Sequence, residues 1–150
     1  MRVHLATDHA GFELAEELRR VLPEQGFELI DHGATSYDPD DDYPAPCIAA
    51  AEAVRADHGS LGIVLGGSGN GEQMAANLVR GIRCALAWSA DTARLAREHN
   101  DAQVVAVGAR MHTPTEGASI VLTFLRTPFS GDPRHRRRID EMTAYDEGSQ

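Results

Sequence analysis

Apolar and polar positions along the chain follow two alternating periods, which predict five strand–helix units. The apolar run "LGIVLGG" at 61–67 is continuous, as in strands that are covered on both faces. Strands that alternate with helices indicate an α/β fold, a three-layer α/β/α sandwich with a five-stranded parallel, Rossmann-like sheet. We expect a single domain over 1–150. The predicted strands cover 3–7, 27–33, 61–67, 82–88 and 102–108, and the predicted helices cover 11–22, 46–56, 72–79, 90–99, 114–126 and 133–145.

Proline, glycine and asparagine predict where several helices begin and end. Pro23 and Gly26 are expected to end the first helix, and Pro44 or Pro46 suits the first turn of the second. Asn100 is expected to end the fourth helix in the left-handed conformation. The sixth helix has no strand after it, so it is free to dock elsewhere, including on a partner subunit.

Ligands of a parallel sheet gather at the carboxyl ends of its strands. Asp8 and His9 follow the first predicted strand, a glycine-rich loop at 66–71 follows the third, and Arg110 follows the fifth. These residues are therefore the first candidates for a binding site.

Charge and composition exclude several kinds of function. The net charge of −9 argues against a general nucleic-acid or membrane surface. No apolar run approaches the ~18 residues that a membrane span needs, so we expect a cytoplasmic protein. All 14 basic residues are arginine, so chemistry that needs a lysine Schiff base is excluded. Arginine suits phosphate, and the one basic concentration is "RHRRR" at 134–138.

Two further features have structural explanations. Cys47 and Cys84 lie in different apolar elements without metal or redox spacing, and we expect buried, inert thiols. The acidic loop "ATSYDPDDDYP" at 34–44 lacks the ligand spacing of a calcium loop. We interpret it as a solvated loop that also caps the following helix.

The stretch "GGSGNGEQMAAN" at 66–77 has two interpretations. As a dinucleotide fingerprint it is one residue short, although Asp91 follows at the spacing of a ribose-binding acid. As an anion hole, its backbone N–H groups would stabilise negative charge on a ligand oxygen. Glu72 at the exit of the loop would repel such an anion. Its presence also has a structural explanation, because a carboxylate in the first turn of a helix is stabilised by the helix dipole.

Five segments together closely resemble type B ribose-5-phosphate isomerase, a family that includes allose- and galactose-6-phosphate isomerases. The resemblance covers nearly the whole chain in the same order. It implies interconversion of ribose 5-phosphate and ribulose 5-phosphate through a cis-enediolate, without a metal or cofactor, in a homodimer with shared sites. The segments are "TDHAGFELAEEL" (7–18), "DYPAPC" (42–47), "GIVLGGSGNGEQMAAN" (62–77), "REHNDAQVVAVGAR" (97–110) and the arginine-rich last helix.

The resemblance also implies the roles of individual residues. Many members carry a cysteine base at the position of Gly66, whereas a branch of the family uses a glutamate just past the loop, which Glu72 matches. His99 matches the ring-opening residue. The residues matched to substrate binding are Asp8, His9, Gly67, Ser68, Gly69, Asn70, Gly71 and Asn100, with Arg110, Arg134 and Arg138 as the phosphate clamp. Tyr43 and His135 are further candidate ligands, and the remaining histidines are expected to be structural or exposed.

Two catalytic residues are predicted at opposite edges of the sheet. Glu72 follows a strand and His99 precedes one, and a strand of five or six residues spans ~17–20 Å. We therefore expect His99 of one subunit to face Glu72 of its partner. Three alternatives stay open: a preference for six-carbon sugar phosphates, a nucleotide-binding module, and a sugar-phosphate sensor without catalysis.

Overall fold

The strands and helices of the computed structural model, which describes residues 1–148, follow the predicted order. A short 3₁₀ helix at His9–Gly11, which was not predicted, comes before the first α-helix. The strands are β1 (Arg2–Thr7), β2 (Glu28–Asp31), β3 (Leu61–Gly66), β4 (Cys84–Leu86) and β5 (Val104–Gly108). The helices are α1 (Phe12–Glu24), α2 (Pro44–Ala56), α3 (Asn70–Ala76), α4 (Ala90–Asn100), α5 (Pro114–Arg126) and α6 (Pro133–Asp146).

The five strands form one parallel sheet in the order β2-β1-β3-β5-β4. From β1 the chain moves to one side of the sheet, and from β3 it moves to the other. Parallel sheets bind ligands in the crevice at such a reversal, outside the carboxyl ends of the strands. Thr7 pairs with Leu65 there, so Asp8 and Gly66 leave neighbouring strands at the same edge.

Helices cover both faces of the sheet, so the predicted α/β/α sandwich is confirmed. On one face α1, α4 and α5 pack over a core that contains Leu14, Leu18 and Phe124. On the other face α2 and α3 pack over a smaller core rich in alanine. β3 is buried along its whole length, as its continuous apolar run predicts.

Several predicted boundaries were wrong. The first helix continues through Pro23 to Glu24, because a proline in the last turn removes only one helical hydrogen bond. The fourth helix includes Asn100, and Asp101 takes the left-handed conformation at φ 44°. The acidic loop does not cap α2, whose N-cap residue Tyr43 makes no side-chain capping bond.

α6 packs on its own chain. Its amino-terminal half contacts α4, and near its end Asp146 accepts hydrogen bonds from Arg80 and from the N–H of Gly81. His135 and Ile139 form its buried face. The opposite face of α6 is exposed and carries most of the arginine run.

Both cysteines are buried free thiols, as predicted. Burial raises the pKa of Cys47 to about 12 and raises that of Cys84 further, so both thiols stay protonated. Within the described residues, no helix is both long and apolar enough to cross a lipid bilayer.

Candidate active site

Asp8 anchors one side of the crevice at the carboxyl edge of the sheet. It is the N-cap of the 3₁₀ helix, and its Oδ1 accepts the N–H groups of Ala10 at 2.9 Å and Gly11 at 3.3 Å. Gly11 packs so closely against Thr7 and Leu65 that a side chain would not fit there. This close packing fixes Asp8, which is only 7% exposed.

The carboxyl group of Glu72 lies directly over Gly66, the last residue of β3. A Cβ atom on Gly66 would overlap Oε1 and Cδ of Glu72 and would lie 2.6 Å from Oε2. Glu72 is 4% exposed although it sits in the first turn of α3. The absence of a side chain at residue 66 therefore creates the space in which this carboxylate is held.

The surroundings of Glu72 favour its protonated form. Burial raises the pKa of Glu72, and the negative charge of Asp8 raises it further. A hydrogen bond from the backbone N–H of Glu72 to its own carboxylate lowers it. A carboxylate with a raised pKa is a better proton carrier near neutral pH than an ordinary glutamate. The protein itself therefore raises the pKa of Glu72 before any ligand binds.

The glycine loop follows the backbone of β5 closely. Gly69 has φ +82°, and a Cβ atom there would lie 3.1 Å from the amide nitrogen of Gly108. Ser68 Oγ accepts the backbone N–H of Asn70 at 3.3 Å and its side-chain amide at 3.1 Å. α3 begins at Asn70, two residues earlier than predicted, and the N–H groups of its first turn have no partner within the helix.

Two residues close the loop on either side. A Cβ atom on Gly71 would lie 2.5 Å from the Tyr43 hydroxyl, so this tyrosine covers the loop. Arg110 donates its backbone N–H to the carbonyl of Gly67 at 3.1 Å, and its side chain passes the same glycine. Arg110 therefore lies beside the glycine loop at the carboxyl edge of the sheet.

His9 points into a neighbouring cavity of about 460 Å³. The cavity also contains Arg110 and His112, with Phe12 and Tyr37 among its walls. The Asp41 carboxylate accepts both the backbone N–H and the Nδ1–H of His9, each at 2.8 Å. The hydrogen bond to Asp41 raises the pKa of His9. Burial lowers this pKa, and the negative charge of Asp8 raises it.

Asp8, His9 and Asp41 offer possible metal ligand atoms within 4.8 Å of one another. Both carboxylates already accept hydrogen bonds, Asp8 from two amides and Asp41 from His9. Their geometry is explained by these bonds, and a metal is not needed to account for it.

A second group of predicted residues lies around the end of α4. The His99 ring stacks on His135, with ring centroids 4.2 Å apart and planes 34° from parallel. His135 is 7% exposed, and its Nδ1 bonds Ser130 Oγ at 2.8 Å. Ser130 in turn donates its N–H to the Glu98 carbonyl at 3.1 Å, which links α4 to the start of α6.

The arginines of α6 are all exposed but have different neighbours. Arg134 and Arg138 are exposed and one turn apart. Arg136 instead stacks on Phe129, with its guanidinium carbon 4.6 Å from the ring centre. Because Arg134 adjoins His135, the first turn of α6 lies with His99 and not with the glycine loop.

The two groups occupy opposite edges of the sheet. The Asn100 carbonyl accepts Arg83 Nε at 2.9 Å, and Arg83 comes just before β4 at the amino edge. From Gly108, which pairs with Gly66, β5 runs ~13 Å back to Val104 at that edge. Within one subunit the structure therefore brings together Asp8, His9, Gly67–Gly71, Glu72 and Arg110, and separately brings together His99, Asn100 and Arg134.

Sequence reasoning missed Asp41, which it assigned to a solvated loop. The contact between Asp41 and His9 spans 32 residues, and no local pattern predicts it. His135 was proposed as a ligand, whereas the structure buries it beneath His99.

Comparisons with known proteins show the family to which the chain is similar. Residues 3–142 match the Ribose/Galactose Isomerase family. Ribose-5-phosphate isomerase B of Mycolicibacterium paratuberculosis is 61% identical over 146 residues, covering 97% of this chain and 92% of the relative. The Mycobacterium tuberculosis protein of that name is 60% identical, with coverages of 97% and 90%.

Solved structures of ribose-5-phosphate isomerases are also similar to this chain. Ribose-5-phosphate isomerase B of Mycoplasma genitalium, solved with bound ribulose-5-phosphate, superimposes with a TM-score of 0.92 at 37% identity. That comparison covers 97% of this chain and 96% of the other. The type B enzyme of Trypanosoma cruzi has a TM-score of 0.92 at 37% identity, covering 99% and 98%.

Proposed function

The chain belongs to the ribose/galactose isomerase family, and from that premise we propose how it interconverts ribose 5-phosphate and ribulose 5-phosphate. The reaction moves a proton between C2 and C1 of the open-chain sugar without a metal or cofactor. The observation that carries this proposal is the buried carboxylate of Glu72, held over Gly66 at the carboxyl edge of the sheet.

Glu72 is the proposed base. Its carboxylate removes the C2 proton of ribose 5-phosphate, and the C2–H electron pair forms the C1–C2 double bond while the C1 carbonyl oxygen becomes negative. Glu72 then returns the proton to C1 as the C2–O bond becomes the ketone, and the C2 hydroxyl proton moves to the negative C1 oxygen, which becomes the C1 hydroxyl of ribulose 5-phosphate. Burial and Asp8 raise the pKa of Glu72, so the carboxyl group can hold the proton between the two transfers.

The glycine loop stabilises the negative oxygen of the enediolate. Backbone N–H groups at Gly67–Gly71 lie beside Glu72, and fixed donors of this kind need no reorganisation as charge develops. Ser68 and Asn70 lie at the rim of the same loop and are placed to contact the sugar hydroxyl groups. Asp8 lies on the other side of the crevice, where the N–H of Ala10 fixes its carboxylate.

Two side chains select the phosphate. His9 and Arg110 line one cavity, and both can donate hydrogen bonds to phosphate oxygens. Arg134 and Arg138 lie on the exposed face of α6 and make up the rest of the clamp when a second subunit presents them.

The enzyme acts as a homodimer in this proposal, because one subunit holds only half of each site. His99 of the partner subunit opens the furanose ring beside Glu72, with Asn100 next to it. Large apolar side chains are exposed near the loop and along the adjoining edge, which supports a partner surface there. These are Met74, Leu78, Trp88 and Met111, each more than 60% exposed.

The nucleotide-binding alternative has less support. Asp91, its proposed ribose ligand, has an 88% exposed side chain in the first turn of α4, 3.9 Å from Arg94. A preference for six-carbon substrates, the single isomerase domain over 1–150 and a cytoplasmic location stay predictions.

The test compares wild type with Glu72→Gln, an isostere that cannot accept the proton. Turnover of ribose 5-phosphate and of allose 6-phosphate is measured, together with exchange of the C1 hydrogen of ribulose 5-phosphate with solvent. We expect Glu72→Gln to lose turnover by about 100-fold or more and to lose exchange as well. Unchanged turnover in the variant would show that Glu72 is not the base. If wild type turned over allose 6-phosphate faster than ribose 5-phosphate, the protein would be a six-carbon isomerase.

A further inference from the structure

The loop before α2 contains three consecutive acidic residues, but they are not equivalent. Asp41 has a side chain that is 20% exposed and bonds His9, whereas Asp40 and Asp42 are exposed. We propose that Asp41 is a positioning residue that orients the His9 ring and keeps it a cationic donor to the substrate phosphate. This inference rests on the proposed sugar-phosphate site.

The geometry leaves His9 one orientation. Oδ1 of Asp41 accepts the backbone N–H and the ring Nδ1–H of His9, each at 2.8 Å. A single carboxylate oxygen thus holds the backbone and the ring of one residue together. Because Nδ1 is used in this way, Nε2 is the ring atom left for the cavity that contains Arg110.

The charges around His9 favour its protonated form. Asp41 and Asp8 face it with negative charge, and Arg110 faces it with positive charge. The Tyr37 ring meets His9 edge-on, with centroids 6.5 Å apart. The balance raises the pKa of His9, with the hydrogen bond to Asp41 as the largest cause.

A protonated His9 donates Nε2–H to a phosphate oxygen in a charge-assisted bond, which is stronger than a neutral one. A neutral His9 with its proton on Nδ1 presents an Nε2 lone pair to the same oxygen and repels it. Asp41 thereby couples phosphate affinity to pH. Phosphate binding weakens as the pH rises through the raised pKa of His9.

A purely structural role for Asp41 makes different predictions. If Asp41 only held the loop in place, its loss would lower the thermal stability and kcat at every pH. A positioning role instead changes KM and phosphate affinity, and changes them most near neutral pH, where the charge of His9 depends on Asp41.

The experiment uses Asp41→Asn, which keeps an oxygen acceptor for both bonds but removes the charge. Binding of inorganic phosphate is measured by calorimetry between about pH 5.5 and 8.5, together with KM and kcat for ribose 5-phosphate. We expect phosphate affinity at neutral pH to fall about tenfold and KM to rise equally, with kcat within about twofold of wild type. The loss of affinity with rising pH should begin at a lower pH than in wild type.

Asp40→Asn and Asp42→Asn are matched controls, since each removes one charge from the same loop without touching His9. Both should keep the wild-type pH profile. Asp41→Glu keeps the charge and should keep most of the affinity at neutral pH, and it replaces Asp41→Asn as the test variant if the latter does not fold. In a His9→Asn background, adding Asp41→Asn should change nothing further.

The proposal is overturned if Asp41→Asn keeps the wild-type pH profile, if the two control variants shift it equally, or if wild type binds no phosphate. It is also overturned if Asp41→Glu, used in place of an unfolded Asp41→Asn, loses phosphate affinity at every pH. Phosphate binding does not require turnover. A protein that binds phosphate with the expected pH linkage but does not isomerise ribose 5-phosphate would contradict the proposed function and leave the role of Asp41 supported.

Discussion

The carboxyl group of Glu72 occupies the space that a side chain on Gly66 would need. The two residues are six positions apart, and α3 turns the glutamate back over the end of β3. A side chain at residue 66 and this position of Glu72 therefore exclude each other. The relationship gives a physical reason why this chain, with glycine at residue 66, has room for a buried glutamate at the end of β3.

Gly66→Ala should inactivate the protein without unfolding it. The added methyl group would displace the Glu72 carboxyl group, and a displacement of about 1 Å in a catalytic group lowers kcat by about 100-fold. Steady-state kinetics with ribose 5-phosphate measures the loss, and circular dichroism checks the fold. The control is Gly66→Ala in a Glu72→Gln background, where the added methyl group should lower kcat no further because the carboxylate it displaces is already absent. Full activity in Gly66→Ala would mean that Glu72 acts from another position.

Asp8 should set the lower pH limit of activity through Glu72. The base works ionised, so activity falls as the pH falls through the pKa of Glu72, which burial and Asp8 raise. Asp8→Asn keeps the oxygen that accepts the N–H groups of Ala10 and Gly11 but removes the charge. The acidic limb of the kcat profile should therefore move to lower pH. An unchanged limb, or an equal shift in Asp42→Asn, would argue against this coupling.

His32 should make folding stability depend on pH. It bonds His4 at 2.8 Å, and burial, followed by the charge of His4, lowers the pKa of His32. Below the ordinary histidine pKa the unfolded chain therefore binds more protons than the folded chain, so stability falls as the pH falls. As the pH is lowered from about 7 to 5, the midpoint temperature of thermal unfolding should fall less for His32→Asn than for wild type. His58→Asn, which changes an exposed histidine, should behave as wild type.

His135 should affect ring opening but not the proton transfer by Glu72. The His99 ring stacks on His135, so His135→Ala should leave His99 without a fixed orientation. Ribulose 5-phosphate is open-chain because its 5-hydroxyl carries the phosphate, so C1 hydrogen exchange needs no ring opening. We expect ribose 5-phosphate turnover to fall about tenfold, exchange to change little, and His135→Phe to restore most of the turnover by stacking. An equal loss of both activities would contradict the assignment.

The sequence predicted the elements of the fold well because their hydrophobic periods are strong and local. It placed helix ends poorly where one residue decides them: Pro23 lies inside α1, and Asp101, not Asn100, takes the left-handed conformation. The overlap of Glu72 with Gly66 depends on how α3 turns back on β3. The bonds of Asp41 to His9 and the stack of His135 on His99 depend on packing between elements, which periodicity does not contain.

Mixing two inactive variants should restore activity if each site is shared between subunits. Glu72 and His99 lie at opposite edges of one sheet, so a single chain does not bring them together. Glu72→Gln and His99→Asn should each be inactive as a homodimer. After subunit exchange, half of the dimers contain one of each variant, with both changes in one site and none in the other. Random pairing should therefore restore about a quarter of wild-type activity.

The control for the exchange experiment is Glu72→Gln mixed with Glu72→Gln,His99→Asn. Every site in that mixture lacks the base, so no activity should return under the same exchange protocol. Size-exclusion chromatography with light scattering establishes that dimers are present, and a tagged variant establishes that subunits have exchanged. If exchange is complete and the Glu72→Gln and His99→Asn mixture stays inactive, both residues belong to sites within one chain. The two halves of the site would then have to meet by a movement within the subunit.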